Sequence, residues 1–431
     1  MGNSNENDNG VENQQFEFIT ETIKEKPINK KRVLLKILFN ILMAVLFGLV
    51  ACAVFVYFEP MIRERLYPEE TKVVTIPEEE EKEKIEEEPV PTPTPVVTKV
   101  FETVEKELEV QDYKLLLTKI SAIGENAQKS LVSVTGVKSD VDWFQNTYED
   151  NATTAGLILA DNGKELLIIS YMEPLKNADS IEVMFCNDEI YPGTIKKSDI
   201  NTGLAVVAVE MESMSQETLD SIEMAELGST SSQSFVGSPV IAVGNPLGVV
   251  KSMVIGQVTS DVYVKDLTDT NIQYFTTDIY GSANASGVIL DLSGRVLGFI
   301  FQDNSSDMEN MIKAYCISDL KNKIEKLSNG QDFAYLGITG TDVPKEASEE
   351  LGVPQGAYIT EVLVDSPAME QGLQNGDIIT KIGTTDITSF ADFKDVMLKC
   401  QPGDLMMITV KRLGRDEYVE VNYEIKLGVL E

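Results

Sequence analysis

The chain has 431 residues, of which 43% are hydrophobic and 25% are charged, a composition typical of a globular protein with two or three domains. It contains no histidine, which excludes an intact Ser-His-Asp or Cys-His catalytic arrangement and every histidine-bearing metal site. The 36 basic and 70 acidic residues give a net charge of −34, which disfavours binding to nucleic acid. The 4 cysteines are far apart and no phosphate-binding glycine motif is present, so we expect neither a metal nor a nucleotide cofactor.

A long apolar segment lies near the N terminus. Residues 1–36 form a polar tail that ends in a basic cluster, and residues 37–58 follow without a single charge. At about 1.5 Å per residue, a helix of this length spans roughly 33 Å, enough to cross the hydrocarbon core of a membrane. A cleaved signal peptide fits less well, because its apolar region is shorter. Since basic residues favour the cytoplasmic side, the sequence predicts a single-pass protein of the cell membrane with a cytoplasmic tail and extracytoplasmic C-terminal domains.

Residues 59–112 are predicted to form a linker. Between Glu69 and Glu88 there are ten glutamates and three lysines, and every second residue from Pro89 to Pro95 is a proline. A segment of this composition cannot bury a hydrophobic core. We therefore expect an extended, solvated stalk, with its proline-rich part in the polyproline II conformation.

Residues 113–328 are predicted to form one β domain, in which short apolar runs alternate with turn residues from about Ile120 onward. Runs of this length and spacing are typical of an all-β barrel or sandwich. A helix is predicted from Ser318 to Leu327, with Ser318 as its N-cap. The predicted strands lie within Ser130–Val137, Ala155–Ser170, Ser180–Ile195, Gly203–Glu210, Ser238–Gly248, Met253–Val262, Ala285–Phe301 and Ala314–Ser318.

Residues 332–431 are predicted to form a separate unit that mixes strands and helices. One strand begins at Tyr335, and the same patterns predict two helices, over Ser366–Leu373 and Phe390–Leu398. The other predicted strands lie within Ala357–Val364, Asn375–Gly383 and Met406–Gly414.

Four sequence motifs, in the same order along the chain, resemble those of the HtrA/Deg family of trypsin-like serine proteases. They are VIAVGNPLG (Val240–Gly248) followed by GQVTS (Gly256–Ser260), the pair Thr277-Asp278, SGRVLG (Ser293–Gly298), and the segment Ala357–Gly383. The last segment is similar to the PDZ domain that follows the protease in this family. The resemblance covers about residues 120–427 and implies a mainly β fold, a trypsin-like double β-barrel followed by an α+β PDZ domain. With the apolar segment, this makes a membrane-anchored member with one N-terminal transmembrane helix.

The positions of the catalytic triad, carried over from the resemblance, hold other residues. Glu173 stands at the histidine position and Gly203 at the aspartate position. For the nucleophile, counting forward from Asp278 gives Ser286 and counting back from Gly294 gives Ala285, and both alternatives stay open. These substitutions predict a pseudoprotease. The alternative is a weakly active serine endopeptidase that uses Ser286 with a non-histidine base such as lysine.

The resemblance implies an intact peptide-binding loop in the PDZ domain. Backbone N–H groups of Tyr335, Leu336, Gly337 and Ile338 would hold a peptide's C-terminal carboxylate, and Leu336 and Ile338 would line the pocket for its last side chain. The predicted partners are therefore C-termini of peptides or unfolded proteins, in a quality-control or regulatory role. Because barrels of this family form trimers, a homotrimer or an association with active relatives is also predicted.

Overall fold

The computed structural model describes residues 39, 41–50, 54, 71–77, 109–141, 147–231, 235–260, 262–301 and 310–430. The chain divides into two units, residues 1–70 and 71–431. The predicted tail, nearly half of the predicted transmembrane helix and most of the predicted linker lie outside the described residues. Residues 41–50 are helical. Among the described residues, no helix is both long enough and apolar enough to cross a membrane.

Six strands of the second unit close into an antiparallel barrel, here called the first barrel, in the order β1-β2-β3-β6-β5-β4. Alternate residues of these strands point inward, and their branched apolar side chains form the core. Ile158, Ile168 and Val207 are fully buried there. The strands are β1 (Leu131–Val141), β2 (Thr147–Asp161), β3 (Glu165–Tyr171), β4 (Ser180–Met184), β5 (Ile190–Asp199) and β6 (Leu204–Glu210).

Seven further strands form a second sheet in the order β8-β7-β11-β12-β13-β10-β9. A bridge between Val258 and Thr277 joins the end of β8 to β10, so the sheet curls back on itself. Val240, Phe275 and Ile300 form part of its buried core. The strands are β7 (Pro239–Asn245), β8 (Ser252–Gln257), β9 (Tyr263–Leu267), β10 (Thr270–Tyr280), β11 (Ser286–Leu290), β12 (Val296–Phe301) and β13 (Met311–Cys316).

Three α-helices accompany these sheets: α1 (Val110–Ala127), α2 (Gln216–Ser221) and α3 (Ile317–Ser328). Three short 3₁₀ helices cover Gln128–Ser130, Glu173–Leu175 and Met211–Ser213. Helix α1 contains the predicted boundary between linker and β domain, and it begins at a capping box formed by Glu109 and Asp112. The predicted N-cap of α3 is wrong. The N-cap is Cys316 and the helix begins at Ile317, while the Ser318 hydroxyl accepts the Thr230 N–H (2.8 Å) from a distant segment.

The C-terminal part of the chain forms a sheet in the order β15-β16-β17-β19-β20, so β15 is an edge strand. Helix α6 packs on this sheet through Phe390 and Phe393, which are fully buried. The helices are α4 (Lys345–Leu351), α5 (Pro367–Gln371) and α6 (Phe390–Lys399). The strands are β14 (Ala334–Tyr335), β15 (Ile338–Asp342), β16 (Ala357–Val362), β17 (Ile378–Ile382), β18 (Thr385–Asp386), β19 (Leu405–Leu413), β20 (Tyr418–Lys426) and β21 (Gly428–Val429). Short pairs join β18 to β17 and β14 to β21.

Within residues 71–77, Val74 and Ile76 are half-buried and depart from the solvated stalk that their charged surroundings predict, whereas the other five residues are exposed. Val74 and Ile76 pack against the hydrophobic core. The Val74 N–H donates to the Asn329 side chain (3.0 Å), and the Ile76 N–H donates to the Glu325 carboxylate (2.9 Å). The prediction was wrong here because these apolar residues, two positions apart, can be buried together in an extended segment.

Candidate functional site

The histidine and aspartate positions of the family motif lie side by side in the first barrel. Glu173 begins the 3₁₀ helix that follows β3, and its side chain is exposed. Gly203 lies in the turn before β6, and its carbonyl accepts the N–H of Met172 (2.8 Å). The structure therefore brings together the two positions that the resemblance implies, Glu173 and Gly203, although neither is a histidine or an aspartate.

The turn that contains Gly203 is held by a buried ion pair. The carboxylate of Asp199, which is fully buried, accepts the Thr202 hydroxyl (2.9 Å) and contacts the ammonium of Lys323 on α3 (3.2 Å). Gly203 has a φ of 71°, in the left-handed region that glycine adopts without strain. The one acidic side chain that this turn buries thus fixes the turn to α3, and Gly203 itself offers no carboxylate.

The two candidates for the nucleophile position are both buried. Ala285 ends the loop before β11 and is 7% exposed, and Ser286 is the first residue of β11 and is 5% exposed. The Ser286 hydroxyl oxygen accepts the backbone N–H of Ala155 in β2 (3.0 Å). Because β2 belongs to the first barrel and β11 to the second sheet, this hydrogen bond joins the two. Its partner is a backbone donor, not a lysine or a carboxylate that could take the serine proton.

Tyr171, at the end of β3, is the nearest titratable residue before Glu173 along the chain. Its hydroxyl is buried and has no hydrogen-bond partner among the described residues. Burial raises the pKa of Tyr171 well above its ordinary value, with a further contribution from Tyr315. A phenol with a raised pKa stays protonated at neutral pH, so Tyr171 cannot act as a base.

The predicted carboxylate-binding loop lies between β14 and β15. Gly337 has a φ of 91°, and a Cβ atom at this position would lie 2.1 Å from the Cβ of Ser366. Only glycine fits these two constraints. The resulting turn directs the backbone N–H groups of Leu336, Gly337 and Ile338 toward one point, as a carboxylate site requires.

The carboxylate of Asp269, from the turn between β9 and β10, occupies this point. It accepts the N–H groups of Leu336 (2.7 Å), Gly337 (2.9 and 3.0 Å to its two oxygens) and Ile338 (3.0 Å). Asp269 is 5% exposed, and its own N–H donates to the carbonyl of Ile338 (2.7 Å). Burial raises the pKa of Asp269 to about 6, against the opposing effects of these hydrogen bonds and of Lys323.

The side chains of Leu336 and Ile338, predicted to line a pocket, are fully buried in the core of the C-terminal sheet. A cavity of about 20 Å³ lies next to Asp269 and is lined in part by Thr268, Met397 and Leu398. Sequence reasoning missed Asp269. The sequence shows only an aspartate in a short polar segment, which is common in hairpin turns. This local pattern does not indicate a contact with Gly337, 68 residues away.

Known proteins share this order of domains. A model of the trypsin-like peptidase domain matches residues 154–299, and a model of the PDZ domain matches residues 317–423. Serine protease Do-like HtrA of Lactococcus lactis subsp. cremoris is 24% identical over 330 residues, which cover 71% of this chain and 79% of that protein. The chain belongs to the HtrA family.

Other relatives of this HtrA-family chain agree. Serine protease Do-like HtrB of Bacillus subtilis is 28% identical over 281 residues, 61% of this chain and 60% of that protein. Serine endoprotease DegS of Haemophilus influenzae is 24% identical over 275 residues, 62% and 75% of the respective chains. The structure of HtrA-type protease AlgW with a tripeptide has a TM-score of 0.52 at 19% identity, covering 72% of this chain and 97% of AlgW. The predicted mainly β fold, a trypsin-like barrel domain followed by a PDZ domain, is confirmed.

Proposed function

We propose that this HtrA-family chain is a pseudoprotease that recognises exposed or C-terminal peptides through its PDZ domain, in a quality-control or regulatory role. The observation that carries the proposal is the buried hydroxyl of Ser286, bonded to the Ala155 N–H in a chain without histidine. The PDZ domain contributes the converging N–H donors around Gly337.

In the part of the barrel that the structure describes, the contacts of Ser286 and Gly203 support the loss of acyl transfer. A serine nucleophile needs a base within hydrogen-bond reach, and that base needs a third group to orient it. The hydrogen bond of Ser286 comes from a backbone donor, and Gly203 has no side chain at the orienting position. If Ala285 is the equivalent residue, the nucleophile itself is missing.

The PDZ loop retains the chemistry of a carboxylate site. It requires only backbone N–H groups and a glycine at positive φ, and both are present at Gly337. The loop binds a carboxylate in this chain already, that of Asp269. The AlgW structures with a tripeptide and with a decapeptide support the extension to peptides.

Fluorophosphonate labelling of the purified full chain tests the loss of proteolysis. We expect neither labelling nor cleavage of casein, while an active HtrA protease treated in parallel does both. Stoichiometric labelling that disappears in Ser286→Ala would establish the weak endopeptidase instead.

An array of decapeptides tests peptide recognition. Each sequence is offered with a free and with an amidated C terminus, and the last residue is varied among Val, Ile, Leu, Met and Phe. We expect the free acids to bind and amidation to weaken binding. Equal binding of both forms would contradict carboxylate capture.

We further propose that residues 37–58 anchor the chain in the cell membrane, with the N terminus cytoplasmic and the C-terminal domains extracytoplasmic. The uncharged segment and the basic cluster before it support this topology. Protease treatment of intact cells is expected to remove the PDZ domain, and protection of that domain until lysis would contradict the orientation.

We also propose that the chain forms the homotrimer that the resemblance implies. Exposed apolar residues on α1, among them Val110, Tyr113 and Leu116, support this proposal.

A further inference from the structure

We propose that the turn between β9 and β10 is an internal ligand of the PDZ domain. In this proposal Asp269 occupies the carboxylate-binding loop in place of a peptide's C-terminal residue, and peptides bind by displacing it. The inference rests on the proposed peptide recognition and adds its regulation.

Asp269 reproduces both polar contacts that a peptide's last residue would make. When a peptide extends a sheet at an edge strand, its carboxylate enters the loop and its backbone bonds to that strand. The Asp269 side chain supplies the carboxylate to the N–H groups of Leu336, Gly337 and Ile338. The Asp269 backbone N–H donates to the carbonyl of Ile338, the first residue of edge strand β15.

The hairpin also closes the space beside the loop. Strands β9 and β10 contact β15, and β10 contacts α6. The cavity left between Thr268, Met397 and Leu398 measures about 20 Å³. This is room for about one water molecule and not for an apolar side chain. A peptide's last side chain can therefore enter only if the hairpin withdraws.

The hairpin is fixed from two further sides. The Asn201 amide donates to the carbonyl of Thr268 (2.8 Å), from the same turn that holds Gly203. On the other side, the Gln273 N–H donates to the carboxylate of Asp319 on α3 (2.7 Å). Asp319 also contacts the ammonium of Lys394 on α6 (3.4 Å). Displacement of Asp269 therefore affects contacts with the barrel as well as with the PDZ domain.

Displacement by a peptide leaves the loop's hydrogen bonds intact. A C-terminal carboxylate offers the same acceptors to the three N–H groups, so no buried donor is left unpaired. The Asp269 carboxyl meanwhile returns to water, and its raised pKa shows that burial disfavours its charged form. The two carboxylates thus compete for the same N–H donors. Since the number of hydrogen bonds to the loop does not change, the free energy of holding the hairpin in place decides between them.

The test compares peptide binding by the full chain and by the variant Asp269→Gly. Glycine accepts the φ of 56° found at this position, so the variant removes the carboxylate without backbone strain. The probes are the free-acid and amidated decapeptides with apolar ends. We expect the Kd of the free acids to fall at least tenfold in Asp269→Gly, and the amidated peptides to gain nothing.

Asp188→Gly is the matched control, because Asp188 also has a positive φ (66°) in a turn and its side chain is largely exposed. We expect it to bind like the wild type. Asp269→Asn, which retains the size of the side chain, replaces the glycine variant if thermal melting shows that the latter is unfolded. Amide exchange at residues 336–338 without peptide is expected to be faster in either Asp269 variant.

Two outcomes contradict the proposal, and they can be told apart. If wild type and Asp269→Gly bind the free acids equally well, the peptide site stands but the internal ligand is wrong. If folded Asp269→Gly binds no free-acid peptide, the proposed peptide recognition fails, and this inference fails with it.

Discussion

The barrel domain and the PDZ domain each contain the positions of a family site, and the two differ in which groups occupy those positions. In the barrel, Glu173 and Gly203 stand where the resemblance implies the histidine and the aspartate, and the Ser286 hydroxyl is bound to the Ala155 N–H. In the PDZ domain, the loop around Gly337 is complete and its donors are occupied by Asp269. A catalytic site depends on particular side chains and is sensitive to their substitution, whereas a carboxylate site made of backbone N–H groups depends on the course of the backbone.

One group of contacts between the two regions is centred on Lys323. Lys323 on α3 is paired with Asp199 in the turn before β6, and its ammonium lies 4.9 Å from the ring centre of Phe333. Asn201 in the same turn is bonded to Thr268 beside Asp269. Substitutions in the two regions can therefore be compared by two measurements, the stability of the chain and the binding of peptides.

Gly337→Val is expected to have the largest effect, on both properties. The positive φ costs about 1–3 kcal/mol, and the clash with Ser366 adds roughly 1–3 kcal/mol, so thermal unfolding should occur at a lower temperature and peptide binding should be lost. Gly372→Val is the control, with a similar φ (87°) and no atom within 4 Å of the added Cβ. Equal losses of stability in the two variants would contradict the close approach to Ser366.

Lys323→Met is expected to destabilise the chain by about 3–5 kcal/mol, because it leaves the buried carboxylate of Asp199 without its counter-ion. Urea unfolding of the full chain measures this. Lys251→Met removes an exposed partner of Asp188 and should change the free energy of unfolding by about 0–1 kcal/mol. A small effect in both variants would show that Asp199 does not depend on Lys323.

Ser286→Ala is expected to cost about 1–3 kcal/mol of stability, since it leaves the buried N–H of Ala155 without an acceptor. Peptide binding should be unchanged, because the change lies in the barrel. Ser213→Ala, at an exposed serine, should stay within about 0.5 kcal/mol of the wild type. Unchanged stability in Ser286→Ala would remove the structural role that we assign to this hydroxyl.

The contribution of the Asp269 contact to stability is expected to depend on pH. Burial raises the pKa of the Asp269 carboxyl from 3.8 to about 6 in the folded chain. The protonated carboxyl therefore contributes fully to stability below pH 3.8, the pKa of the unfolded chain, and this contribution is lost as the pH rises through about 6. The melting temperature of the wild type should therefore fall relative to Asp269→Asn over this interval, and the difference should be constant above it.

The charged and titratable groups that face Asp269 bear on this experiment. Lys323 on α3 lowers the pKa of Asp269, and Lys394 on α6 lines the adjacent cavity. Burial, followed by the charge of Asp269, raises the pKa of Tyr335. If the melting temperature of the wild type instead rose relative to that of Asp269→Asn as the pH increases, the direction of the Asp269 pKa shift would be contradicted.

The strands with alternating or continuous apolar residues were predictable from the sequence. The segment Ala155–Ser170, with a turn at Asn162-Gly163, became β2 and β3, and Phe390–Leu398 became α6. Strands β9 and β10 were not predicted, although β10 contains the Thr, Ile, Tyr and Phe residues that favour strands. Helix α1 was missed because its polar face made it look like an extension of the linker.

The absence of histidine establishes that no imidazole can act in this protein, and the sequence shows that residue 203 has no side chain. The order of the motifs also determined the two domains. Only the tertiary structure decided that Ser286 is bonded to Ala155, 131 residues away, and that Asp269 fills the loop at Gly337. The reason is physical: local patterns report which face of a strand or helix is buried, whereas the pairing of a carboxylate with distant backbone N–H groups is set by how the folded domains pack.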